Sequence, residues 1–239
     1  MGLLRALRVT WFWTLLLLTS MSAFAWDGHA PITEKALSEV VPSYVSVPFI
    51  PLADALKKGL TTVSAKTPEE FVHELKLRPG WDFPLKMGEQ PGQPVRVLAL
   101  LAMYTDEPDW GVDRDLFDAY PELWDADTPY VAGRHGVKSQ GLRHLYFPGH
   151  FQWSEPIASL QVPMHPIGKA PFQAERYQAL ARDFFAHGSP YWGYRFLAWT
   201  LHYTEDLFQP FHTRQLPTKH FLRFKWSGWH PDIDIDATG

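Results

Sequence analysis

The chain has 239 residues, 46% of them hydrophobic and 15% aromatic, with no cysteine and a formal net charge of −4. That length and apolar content suit one domain with its own core. The missing cysteines exclude a disulfide scaffold, and the acidic balance leaves no basic footprint for duplex DNA.

Residues 1–25 read as a secretory signal peptide. Arg5 and Arg8 form a charged start, Trp11, Phe12, Trp13 and Leu15 to Leu18 an apolar stretch, and Ala23-Phe24-Ala25 a small-x-small cleavage site. Cleavage there leaves residues 26–239 as the expected mature domain, takes its charge to −6, and implies a secreted or periplasmic protein. It also frees an α-amino group on Trp26, with His29 three residues later. An amine, a carbonyl oxygen and an imidazole are all potential metal ligands. The sequence holds no asparagine, which excludes N-linked glycosylation.

The rest reads as mainly α, a single multi-helix domain with long Pro-rich loops. Thr33 to Val40 predicts a first helix, broken by Pro42 and Pro48. Leu52 to Leu60 and Pro68 to Leu77 predict short helices, the second opening on a Thr67 cap with acids in its first turn. Arg78 to Gln93 is a Pro/Gly-rich loop, and Val95 to Tyr104 a buried helix far short of the ~20 apolar residues that span a bilayer. No stable membrane insertion is therefore expected once the signal is removed. Residues 106–140 look irregular, acidic and surface-exposed, and Phe147 to Pro171 a meandering loop. Ala174 to His187 is amphipathic, with Gly188 as its cap. Tyr191 to Phe208 predicts a long aromatic helix, and few strands are expected.

That last helix carries the chemistry. His202 and Asp206 stand four residues apart and so share a helix face. Gln209-Pro210 ends the helix, because a residue before proline is pushed out of the α region. His212 can then turn back toward the same spot. Two histidines and a carboxylate converging from a buried helix suit zinc, and a buried carboxylate without a cation is costly. Glu205 is expected to point elsewhere.

The pattern His202-x3-Asp206-x2-Gln209-Pro210-x-His212 resembles the signature helix of the zinc-dependent phospholipase C and single-strand-specific nuclease superfamily. Trp26-Asp27-Gly28-His29 is similar to that family's mature N-terminus, where the first Trp binds metal through its amine and carbonyl. The resemblance implies two or three zinc ions in a multinuclear site. Its ligands would be Trp26, His29, Asp106, His144, His202, Asp206 and His212, with Asp206 bridging and Asp106 and Asp206 central to catalysis. Asp109 and Asp113 are close rivals to Asp106 as the carboxylate after the Val95 to Tyr104 helix. For the family's third metal position, His230 with Asp234 has the spacing and His220 is an alternative. Family members usually continue further, so the C-terminus is expected to be incomplete or divergent.

The activity implied is phosphodiester hydrolysis by metal-activated water. The expected substrate is a phospholipid, with a single-stranded nucleic acid as the alternative. A secreted metal-binding protein without turnover is the reading from another class.

Overall fold

A computed structural model describes residues 28–114, 116–123, 140–147 and 166–213. The signal segment, Trp26, His220, His230 and Asp234 lie outside the described residues.

Among the described residues the fold is helix-dominated. In chain order the elements are α1 (His29–Leu37), β1 (Ser46–Pro48), α2 (Leu52–Leu56), α3 (Pro68–Glu74), β2 (Pro94–Arg96), α4 (Val97–Thr105), a 3₁₀ turn (Glu107–Trp110), α5 (Leu116–Ala119), a second 3₁₀ turn (Pro121–Leu123), α6 (Gln140–His144), α7 (Ala170–Ala186), α8 (Pro190–Phe208) and α9 (Pro210–Thr213). No helix among them is long and apolar enough to cross a membrane.

Helix α1 begins at His29, four residues earlier than its sequence pattern predicts. Its N-terminus is held from outside: the Ala30 N–H donates to Asp106 Oδ1 at 3.2 Å, satisfying one of the first-turn donors that a helix leaves open. The early start puts His29 and Thr33 on one buried face. Helix α3 starts at Pro68 as read and ends at Glu74, three residues short of the expected Leu77, with Thr67 and Glu70 exchanging the two bonds of a capping box. One feature without a sequence signal is the two-stranded antiparallel ribbon, β1 on β2, with Val47 opposite Val95. Its strands are three residues long and edged by Pro48 and Pro94, too short for alternation to show.

Helix α8 organises the core. Trp192, Phe196, Trp199 and Tyr203 recur at helical spacing and are buried. They meet Tyr177 and Phe184 of α7: Phe184 stacks on Phe196 at 5.5 Å between ring centroids, and Tyr177 on Tyr203 at 5.6 Å. Such pairs add about 0.5–1.5 kcal/mol beyond the area they bury. Helix α8 also packs on α4, which carries α1 in turn. Gln209 is extended (φ −76°, ψ 117°), so α8 stops before Pro210 as the sequence predicts.

The stretch after α4 corrects an expectation. Glu107, Val112 and Asp113 are fully buried, not on the surface. Arg195 of α8 explains it. Its Nε and Nη2 donate to the two oxygens of Glu107 at 2.8 and 2.6 Å, and Trp199 Nε1 donates to the same carboxylate at 2.8 Å. A buried charge pair of this kind draws an acidic turn inward.

One glycine is required by space. Gly168 has φ +101°, and a Cβ there would lie 2.0 Å from the Leu145 carbonyl oxygen. The next residue's N–H, on Lys169, bonds Leu142 O at 2.8 Å and so ties the start of α7 to α6. We expect Gly168→Ala to cost about 1–3 kcal/mol, read as a lower urea midpoint. An unchanged midpoint would show that this crossing tolerates a side chain.

Candidate metal centre

Five elements bring their polar side chains to one buried point. Helix α1 supplies His29, the turn after α4 supplies Asp109, α6 supplies His144, and α8 supplies His202 and Asp206. His212 arrives from α9, turned back by the break at Gln209. His29, His144, His202, Asp206 and His212 are all buried.

The two oxygens of Asp206 face different partners. Oδ2 lies 2.8 Å from His144 Nδ1 and 3.3 Å from His202 Nε2. Oδ1 lies 2.7 Å from His212 Nδ1 and 3.9 Å from His29 Nε2. Asp109 spans in the same way. Its Oδ1 is 3.7 Å from His144 Nδ1 and 3.8 Å from His202 Nε2, and its Oδ2 is 3.8 Å from His29 Nε2. Two carboxylates thus each reach from the His144/His202 pair toward His29.

These separations fit a metal ion. Zinc bonds of about 2.0–2.1 Å in a tetrahedron set donor atoms roughly 3.3 Å apart. Among the described residues two groups meet the requirement of three donors close together: His29, Asp109 and His202, and His144, His202 and Asp206. Hydrogen bonding alone satisfies the set poorly. His212 Nδ1 has no hydrogen-bond partner although Asp206 Oδ1 is 2.7 Å away, and His202 Nε2 faces His144 Nδ1 at 2.9 Å. Imidazole nitrogen with carboxylate oxygen is a donor set that divalent first-row metals favour.

Without metal the cluster is strongly polarised. Burial alone pulls the His144 imidazole down, but Asp206 and Asp113 outweigh it and raise it to about 10. Burial likewise raises the Asp206 carboxyl, but His144 and His202 hold it well below the usual carboxylate range. His202 is lowered, chiefly by burial. A metal held here would have to displace any proton on the ligating nitrogen of His144, since a ligating imidazole must be neutral.

The expected ligands sort as follows. His29, His144, His202, Asp206 and His212 are brought together. Among the rival carboxylates, Asp109 is the one inside the cluster. Asp106 instead binds the Ala30 N–H, and burial raises its carboxyl. Asp113 lies behind His144. It accepts bonds from Arg143 Nη1 at 2.5 Å and Tyr203 OH at 2.6 Å, and its Oδ2 is 3.5 Å from His144 Nε2. Burial would raise the Asp113 carboxyl, but chiefly Arg143 lowers it to about 2. The spacing of three acids within eight residues could not separate these roles, because the 3₁₀ turn decides which one faces inward. Glu205 does not point away: its carboxylate meets His29 and Thr33, both at 2.7 Å.

The chain matches no protein-family model, no curated protein and no solved structure. A buried group of imidazoles and carboxylates able to hold a metal ion is therefore what fold and site define together.

Proposed function

We propose that this is a secreted zinc-dependent phosphodiesterase of the phospholipase C kind. The observation that carries the reading is Asp206, whose two oxygens face His144/His202 on one side and His212/His29 on the other. A carboxylate placed in this way would be able to serve two cations. The resemblance of the α8 motif and of Trp26-Asp27-Gly28-His29 to the phospholipase C and single-strand-nuclease superfamily supplies the reaction class.

His144, His202, Asp206, Asp109, His29 and His212 would hold the ions, with the Trp26 amine as a further donor once the signal peptide is removed. Zinc supplies a Lewis acid and brings the pKa of bound water to about 7. The chain's own part is positional. Arg195 holds the acidic turn in place through Glu107, Asp106 pins the start of α1, and the buried rings of α8 keep the cluster rigid. The overall negative charge argues against a duplex but suits a small or lipid phosphodiester, for which bound metal ions would supply positive charge locally. Tyr203, beside His202, is committed to Asp113 and is not available to a substrate.

The test is zinc per molecule by elemental analysis on protein beginning at Trp26, followed by hydrolysis of phosphatidylcholine and of single-stranded DNA. Two or three zinc ions, and lipid hydrolysis lost on chelation and restored by zinc, are expected. DNA cleavage alone would move the protein to the nuclease reading. Bound zinc with neither activity would leave a metal-binding protein.

A further inference from the structure

We propose that Glu205 is a positioning residue that sets which nitrogen of His29 is offered to the metal; this rests on the metal-centre reading above. The argument is geometric. His29 Nδ1 lies 2.7 Å from Glu205 Oε2. The opposite ring nitrogen, Nε2, faces Asp109 Oδ2 at 3.8 Å and Asp206 Oδ1 at 3.9 Å. A neutral imidazole has one N–H. With that proton on Nδ1 and given to Glu205, the lone pair sits on Nε2, on the cluster side. A carboxylate behind a histidine in this way fixes the tautomer, orients the ring and strengthens it as a donor.

Glu205 is itself held. Thr33 Oγ1 donates to its Oε1 at 2.7 Å, so the two carboxylate oxygens have separate partners on α1. His29 and Thr33 are four residues apart on that helix and present both donors to one side chain. Glu205 also precedes Asp206 in sequence. One turn of α8 therefore places a ligand and the support of another ligand side by side, and a shift of α8 moves both together. No spacing rule for metal ligands points to Glu205, because its contact is with the ring edge that faces away from the cluster.

Zinc binding decides the matter. Metal-free protein with Trp26 as its N-terminus is titrated with zinc against a competing chelator, for wild type, Glu205→Ala and Glu205→Gln. Wild type takes up zinc, and Glu205→Ala weakens one site by roughly 10–100-fold. Glu205→Gln keeps an oxygen acceptor for Nδ1–H and recovers most of that loss. A role confined to tying α8 to α1 would lower the melting temperature of Glu205→Ala and leave zinc affinity unchanged, which overturns the proposal. If the Ala variant does not fold, nitrogen-15 spectra of zinc-loaded wild type decide: Nδ1 protonated with Nε2 bound supports it, and Nδ1 bound to metal sinks it. A wild type that takes up no zinc overturns the metal centre itself, and that outcome is distinct from a wild type that binds and a variant that binds equally well.

Discussion

On the proposed zinc-phosphodiesterase reading, Asp206→Asn is expected to cost at least one metal ion and the hydrolysis that the metals would support. The substitution keeps the shape of the side chain and removes its charge. An amide offers one oxygen where Asp206 offers two, and both are in use, Oδ2 toward His144 and His202 and Oδ1 toward His212 and His29. Metal ions contribute several kcal/mol of charge stabilisation to phosphoryl chemistry, so a fall of about 10³-fold or more is expected in turnover. The effect should be visible before any substrate is added, as fewer zinc ions per chain after dialysis. Because metal-binding free energy is also folding free energy, the zinc-loaded variant should melt below zinc-loaded wild type. Full zinc occupancy with unchanged turnover in Asp206→Asn would sink the bridging role.

The second large effect concerns stability. Arg195→Ala should destabilise the fold by about 3–5 kcal/mol, because it leaves Glu107 buried without its cation. Both side chains are fully buried, and Arg195 also lies over the Tyr104 ring at 3.9 Å and donates to the Pro84 carbonyl at 3.0 Å. A double change, Arg195→Met with Glu107→Leu, removes both charges and should cost markedly less, since no ion is left stranded. Urea unfolding of the three proteins measures both numbers. A double variant as unstable as Arg195→Ala would place the energy in packing, in the hydrogen bonds of Arg195 to Pro84 O and Tyr191 OH and in that of Trp199 to Glu107, instead of in the charge pair. Glu107 lies between Asp106 and Asp109, so freeing it should also weaken metal binding. The buried ion pair under the site and the cluster above it are in this sense one structure.

Much of this protein was legible in one dimension. The α8 helix, its end at Gln209-Pro210 and the return of His212 follow from local rules: an aromatic repeat at helical spacing, a proline that forbids the preceding α conformation, and a four-residue step that puts His202 and Asp206 on one face. The capping box of α3 is equally local.

What the chain alone left open depends on contacts far apart in sequence. Asp106, Asp109 and Asp113 are chemically alike; the 3₁₀ turn that carries Asp109 toward the histidines is anchored by Glu107 on Arg195, 88 residues away. The 106–113 stretch looked like surface because its acids are costly to bury; the compensating cation stands on another helix. Helical spacing orders faces but does not say what lies opposite each one, so it assigns Glu205 no role. Tertiary packing put α1 there, and with it the His29 ring that gives this glutamate its role.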